Sequence, residues 1–380
     1  MEGIVLVFSQ STVYLCVMRV SGRENIIKNV EGKYIKMKKF LAIVLCVCLM
    51  ATCLVACGEK EADYKLGMGV VVSTDSSSSE THNAQVDATV ATVVTDKDGK
   101  IVSCCIDVAQ SKMDVTDGAV DTAKTFKSKM ELGDEYGMAG KVDNDGNGTM
   151  LEWYEQAHAF EEYVVGKTAA DVTGMPTKEA NGHIISDDQA LLDAGCSMQV
   201  TDFVAAVAAA CNDEQAMSFK SKGGFTLGVA ATTTAGDSKA ATADEDGLVA
   251  MYTDFAATVV ADGKIVAALN DSIQPKITIN AAGEIMDAAF KATKRNLKEE
   301  YGMEGKVDND GNGTMLEWYK QSEAFSKFVA GKTADEVADL PTQEVNDHVI
   351  SADQGLLDAG CSMQVTSMQK TTAQAAKNAH

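Results

Sequence analysis

Arginine is almost missing from this chain: Arg19, Arg23 and Arg295 are the only three in 380 residues. Acidic side chains number 55 against 33 basic ones, a formal net charge of −22, and no basic stripe interleaved with aromatics offsets them. Such a surface repels phosphate backbones at long range, which excludes nucleic acid as a partner. Histidine is sparse too, and the five present are too scattered along the chain to space as a zinc site. No nucleophile–histidine–carboxylate set repeats. Cysteine offers no disulfide framework, because beyond residue 57 only Cys104, Cys105, Cys196, Cys211 and Cys361 remain, an odd set. The sequence is nevertheless 46% hydrophobic, enough to build cores.

The segment Gly140–Tyr154, GKVDNDGNGTMLEWY, returns letter for letter at Gly305–Tyr319. The likeness extends outward: Leu66-Gly67 matches Leu227-Gly228, Tyr136-Gly137-Met138 matches Tyr301-Gly302-Met303, and Leu191–Thr201 aligns with Leu356–Thr366. A period this long is no solenoid repeat, so each unit is expected to close its own core and fold alone. The expected division is a first domain over residues 64–212, a linker over 213–223 and a second domain over 224–380.

Ahead of the repeats, Met37–Cys57 reads MKKFLAIVLCVCLMATCLVAC, with a basic start, an apolar run and Leu54-Val55-Ala56-Cys57. This is the pattern of a lipoprotein signal peptide over 37–56, with the Cys57 thiol taking the lipid and 57–63 serving as tether. Membrane lipid through Cys57 is then a partner, and the location extracytoplasmic. Residues 1–36 are expected to be an over-extended start, since Glu31-Gly32-Lys33 back-translates to a purine-rich stretch shortly before Met37. The rival is a genuine apolar strand or helix over residues 4–20.

Within one unit, 64–74, 86–95 and 101–109 read as strands, the last two joined by a hairpin turn at Asp96-Lys97-Asp98-Gly99-Lys100. Residues 75–83 read as a flexible serine-rich loop. Helices are expected over 118–132, 150–165 and 202–211; the second carries Leu151, Tyr154, Ala157, Phe160, Tyr163 and Val164 at helical spacing. Antiparallel strands followed by helices make an α+β fold. Gly166-Lys167-Thr168 and Gly331-Lys332-Thr333 imitate the end of a phosphate loop. The upstream glycine is missing, so a helix end followed by a capping box, Thr168 with Asp171 and Thr333 with Glu336, is the better account.

Asp143, Asp145 and Asn147, with Asp308, Asp310 and Asn312 in the second copy, hold positions one, three and five of a calcium loop, followed by glycine at six. Tyr154 occupies position twelve, where a bidentate glutamate usually completes the shell. The competing reading is a polar turn before a helix.

Taken in order, the lipobox, the strand pair turning on Asp-Gly-Lys-Ile-Val, Phe126-Lys127-Ser128-Lys129, Tyr136-Gly137-Met138, Glu152-Trp153-Tyr154 and the Gly-Cys-Ser segment resemble the bacterial FMN-binding lipoproteins. The resemblance implies FMN as cofactor, electron transfer at the cell surface and redox partners there. It places the attachment hydroxyls at Ser197 and Ser362, in Gly195-Cys196-Ser197 and Gly360-Cys361-Ser362, where the family has Gly-Ala-Thr. Leu191 and Leu356 stand at the family motif's aspartate position, and noncovalent flavin stays open. In that case Lys127 and Lys129 would meet the phosphate, and Trp153 and Trp318 would wall an apolar slot. The alternative is a non-redox surface module binding calcium, a small ligand or a protein.

Overall fold

Runs of valine, alanine and threonine that contain glycine but no proline become long strands, and the order of those strands sets the architecture. The computed structural model describes residues 4–9, 12–17, 61–146, 148–309, 311 and 313–380; Met37–Cys57, with the expected lipidation position Cys57, lies outside them. In the unit Met1–Lys60, strands β1 (Ile4–Ser9) and β2 (Thr12–Val17) pair antiparallel.

The unit Glu61–His380 begins with β3 (Ala62–Ser73), β4 (Asn83–Thr95) and β5 (Ile101–Asp114). A single helical turn, α1 (Lys129–Leu132), and the long α2 (Trp153–Val164) follow, then α3 (Ala169–Thr173), hairpin β6 (Thr177–Ala180) and β7 (His183–Ser186), α4 (Gln189–Asp193) and α5 (Thr201–Cys211). Strand β8 (Met217–Ser221) leads into the second repeat, where β9 (Thr226–Thr234) is followed by the short β10 (Gly247–Val249), then β11 (Tyr252–Ala261) and β12 (Lys264–Ile273). After β13 (Ile277–Ile279) and β14 (Ile285–Asp287) the helical part recurs: α6 (Lys294–Leu297), α7 (Trp318–Phe328), α8 (Ala334–Ala338), hairpin β15 (Thr342–Val345) and β16 (His348–Ser351), α9 (Gln354–Asp358) and α10 (Thr366–Asn378). The fold is mixed α+β with antiparallel sheets.

One sheet has the order β5-β4-β3-β8 and another β12-β11-β9. Alternation along β4 and β5 splits their side chains between two cores. Val90, Val94 and Cys105 join Leu227, Val229, Phe255, Ala257 and Leu269 of the second repeat in one cluster. The opposite face, Ala91, Val93, Cys104, Ile106 and Val108, packs against Trp153, Phe160, Phe203 and Val207 of the helices. Ile265 and Ala268 likewise meet Trp318, Phe325 and Met368. The central cluster therefore draws on both repeats, where the sequence leads one to expect two self-contained cores.

Glycine makes the helix-on-sheet contact possible. A Cβ on Gly67 would sit 2.0 Å from the Ala210 carbonyl oxygen in α5, and one on Gly228 would sit 2.1 Å from that of Ala375 in α10. This explains why Leu-Gly recurs at both places.

Two expectations need correcting. Residues 118–132 are not one helix: Asp117 and Gly118 take left-handed φ values of 54° and 68°, and only Lys129–Leu132 forms a turn, capped by Ser128 and Glu131. The expected linker contains a strand, β8, whose Phe219 is buried while Ser218 and Lys220 face outward. The capping boxes at Thr168 with Asp171 and Thr333 with Glu336 are present, and Gly166 and Gly331 are left-handed at 82° and 86°. Among the described residues no helix is long and apolar enough to cross a membrane.

Candidate cation loops and their hydrogen-bonded hub

The repeated block is held together by three side chains. Glu152, at the start of α2, accepts from the backbone N–H of Met138 at 2.9 Å and of Ala139 at 3.1 Å. The Met138 N–H, with its neighbours, holds the Glu152 carboxyl below the usual carboxylate range. Glu317 does the same for Met303 and Glu304, at 3.1 and 3.0 Å. One turn on, the fully buried Gln156 accepts from the N–H groups of Ser197 and Met198, both at 3.0 Å, and donates to the Leu151 carbonyl at 3.0 Å. Gln321 repeats this with Ser362, Met363 and Leu316. Finally Asn144 donates to the Ser197 carbonyl at 2.9 Å, and Asn309 to that of Ser362 at 3.0 Å. Buried polar groups are expensive unless paired, which accounts for the identity of the two copies here.

The aspartate loop and the Gly-Cys-Ser turn, about fifty residues apart in the chain, are thus one structure. Asn181 and Asn346, in the β6–β7 and β15–β16 turns, brace it by donating to the carbonyls of Asn144 and Asn309, at 3.2 and 3.3 Å. The loop closes through a bridge between Val142 and Thr149, and Asp143 N–H donates to the Gly148 carbonyl at 3.2 Å. The Asp143 carboxylate lies over Gly148, where a Cβ would come within 3.0 Å of Oδ2; for Asp308 and Gly313 the value is 2.9 Å. Asp143 Oδ1 is buried and has no hydrogen-bond partner among the described residues. Asp145 is half-buried in the same loop. Asn147, Asp310 and Asn312 lie outside the described residues.

The acids nearest the loop are committed elsewhere. Glu152 and Glu317 hold backbone amides, Glu155 accepts from the Glu152 N–H at 2.9 Å, and the Tyr154 hydroxyl donates to Asp134 at 3.2 Å. Any cation here would have an incomplete protein shell, with water supplying the rest.

The residues that the resemblance assigns to flavin are placed differently. Trp153 is 3% exposed and meets Phe203 edge-on at 5.8 Å, and Trp318 is 5% exposed. The Lys129 ammonium sits 5.5 Å from the Trp153 ring centroid and 4.8 Å from that of Tyr136; Lys294 repeats this over Trp318 and Tyr301. Lys127 is paired with Glu135 at 2.7 Å. Cys196 and Cys361 are wholly buried, and burial pushes both thiols up to about 12. Ser197 and Ser362 are also buried, and Ser197 Oγ has no hydrogen-bond partner. Gly195 and Gly360 supply the left-handed φ, 99° and 90°, that turns the chain beneath Leu151 and Leu316. Among the described residues both hydroxyls and both indoles are buried in the protein's own packing, and so arranged they do not fit FMN.

Sequence reading missed Gln156, Asn144 and their counterparts as organising residues. The available signal was a glutamine three residues after the tryptophan, on the buried helical face in both copies. No family model, curated protein or solved structure matches the chain.

Proposed function

We propose that this chain is an extracytoplasmic lipoprotein, anchored through Cys57, whose two repeats are copies of one α+β domain and each present a calcium-binding loop. It acts in this reading as a non-redox binding protein and not as a catalyst. The observation that carries the calcium assignment is Asp143 Oδ1, a buried carboxylate oxygen without a hydrogen-bond partner among the described residues, inside a loop with calcium-ligand spacing at positions one, three and five. A buried anionic oxygen is costly unless something positive meets it.

Calorimetry of the full chain with calcium should show two sites, with dissociation constants on the order of 10⁻⁴–10⁻³ M, as for extracellular modules. Calcium at a hundredfold excess over Kd should add about 2.7 kcal/mol per site to stability. Asp143→Ala with Asp308→Ala should abolish that gain. A calcium-independent melt of the parent, or a purified protein that is yellow with flavin absorbance, defeats this reading.

Anchoring is tested separately. In bacterial cells, Cys57→Ala is expected to lose labelled lipid and to move the protein from the membrane fraction. Unchanged lipid incorporation in that variant removes the topology.

A further inference from the structure

Two of the five histidines, far apart in the chain, meet in space. His158 on α2 of the first repeat and His380, two residues beyond α10 of the second, meet with ring centroids 5.2 Å apart and planes at 82°. Glu161, one turn along α2, joins them, and one ligating atom from each of the three lies within 4.8 Å of the others. We propose that this cluster is a binding site for a divalent transition metal of the zinc type, with His158 and His380 as ligands and Glu161 as the positioning residue.

The hydrogen bonds fix which nitrogen each ring offers. His158 Nδ1 lies 2.6 Å from Glu161 Oε2, and His380 Nδ1 lies 2.9 Å from the Asn378 carbonyl oxygen. A carboxylate and a carbonyl can only accept, so in the neutral rings both protons sit on Nδ1 and both Nε2 atoms carry lone pairs. That is the outer-shell pattern of metal-bound histidine, one ring held by a carboxylate and the other by a backbone carbonyl. The spacing agrees as well. With Zn–N bonds of about 2.0–2.1 Å in a tetrahedral shell, two imidazole centres stand roughly 5 Å apart.

The support beneath is rigid on one side and open on the other. Glu161 is buried, with its second oxygen accepting from the Ile106 N–H at 2.6 Å, so the carboxylate that orients His158 is itself fixed. No lysine or arginine is paired with it among the described residues, and its ion-pair partner is His158. His380 is anchored by its own N–H on the Leu227 carbonyl at 3.3 Å. Its side chain is exposed and that of His158 is 40% exposed, which leaves room for water in the remaining coordination positions. The matching positions in the second repeat are Glu323 and Ser326. Among the described residues there is accordingly one such site, and it ties α2 of the first repeat to the end of the second.

Titrating the full-length chain with zinc chloride, and in parallel with cobalt(II) for its visible spectrum, tests this independently of calcium. One zinc per chain is expected, with a rise in melting temperature and a cobalt spectrum of low coordination number. His158→Ala and His380→Ala should each remove it. Glu161→Gln should weaken zinc about 10–100-fold, the usual effect of losing an outer-shell partner. Asp143→Ala with Asp308→Ala should leave zinc binding unchanged, and a calcium excess should not displace it. If His158→Ala and His380→Ala together leave zinc stoichiometry and affinity as in the parent, the site is overturned. A parent chain that binds no zinc overturns it equally, whatever calcium does.

Discussion

Asp213→Ala is expected to destabilise the chain by about 3–5 kcal/mol, the usual cost of stranding one member of a buried ion pair. Asp213 closes the first repeat and Arg295 lies on α6 of the second; their side chains are 8% and 6% exposed, and Arg295 Nη2 reaches the two carboxylate oxygens at 3.0 and 3.3 Å. The pair is embedded further. Asp213 also accepts from the N–H groups of Met68 at 3.0 Å and Gln215 at 2.8 Å, while Gln215 and the Arg295 backbone and guanidinium exchange two hydrogen bonds, each 3.1 Å. Removing the carboxylate strands a guanidinium in a low-dielectric place and frees a strand amide at once. Urea melts of the full chain measure the loss. The double variant Asp213→Ala with Arg295→Met should recover part of it, because the stranded charge goes too. A loss under about 1 kcal/mol would show that the pair behaves as a surface bridge.

This pair also explains what sequence reading could not reach. The hairpin at Asp96–Lys100, the long helix at Trp153 and both capping boxes follow from local chemistry, and local chemistry is written in short stretches of sequence. Strand β8 carried a legible signal in the alternation of Met217, Phe219 and their polar neighbours, but its position after a helix made it read as a connector. The Asn181-Gly182 turn, with φ of 51° and 77°, was an equally legible hairpin signal. The candidate sites differ in kind. The aspartate spacing was visible, whereas its bracing by Asn144 and Gln156 depends on bringing residues 144, 156 and 197 together. The metal cluster depends on bringing 158 to 380, which no spacing along the chain encodes.

Neither repeat is expected to fold as a stable monomer by itself. The repeat in the sequence favours independent folding, but the two central sheets bury one face of each against the other. Leu66, Met68, Val86, Val90, Val94 and Met113 from one repeat share a cluster with Leu227, Val229, Met251, Phe255, Val259, Leu269 and Ile273 from the other. Burying each large apolar side chain is worth about 1.5–3 kcal/mol. Exposing a handful on one half would remove on the order of 10 kcal/mol, comparable to the whole net stability of a typical domain, about 5–15 kcal/mol. The cut must follow β8, since Ala62–Leu66 pairs with Met217–Ser221. Expressed singly, residues 61–222 and 224–380 should aggregate or give broad, non-cooperative melts. Expressed together, they should co-purify as a one-to-one complex with a cooperative melt. Size-exclusion chromatography and thermal circular dichroism read both outcomes. A single half that stays monomeric and melts cooperatively near the full chain's temperature would show that the shared cluster is an interface between finished domains, and not a core that either one needs.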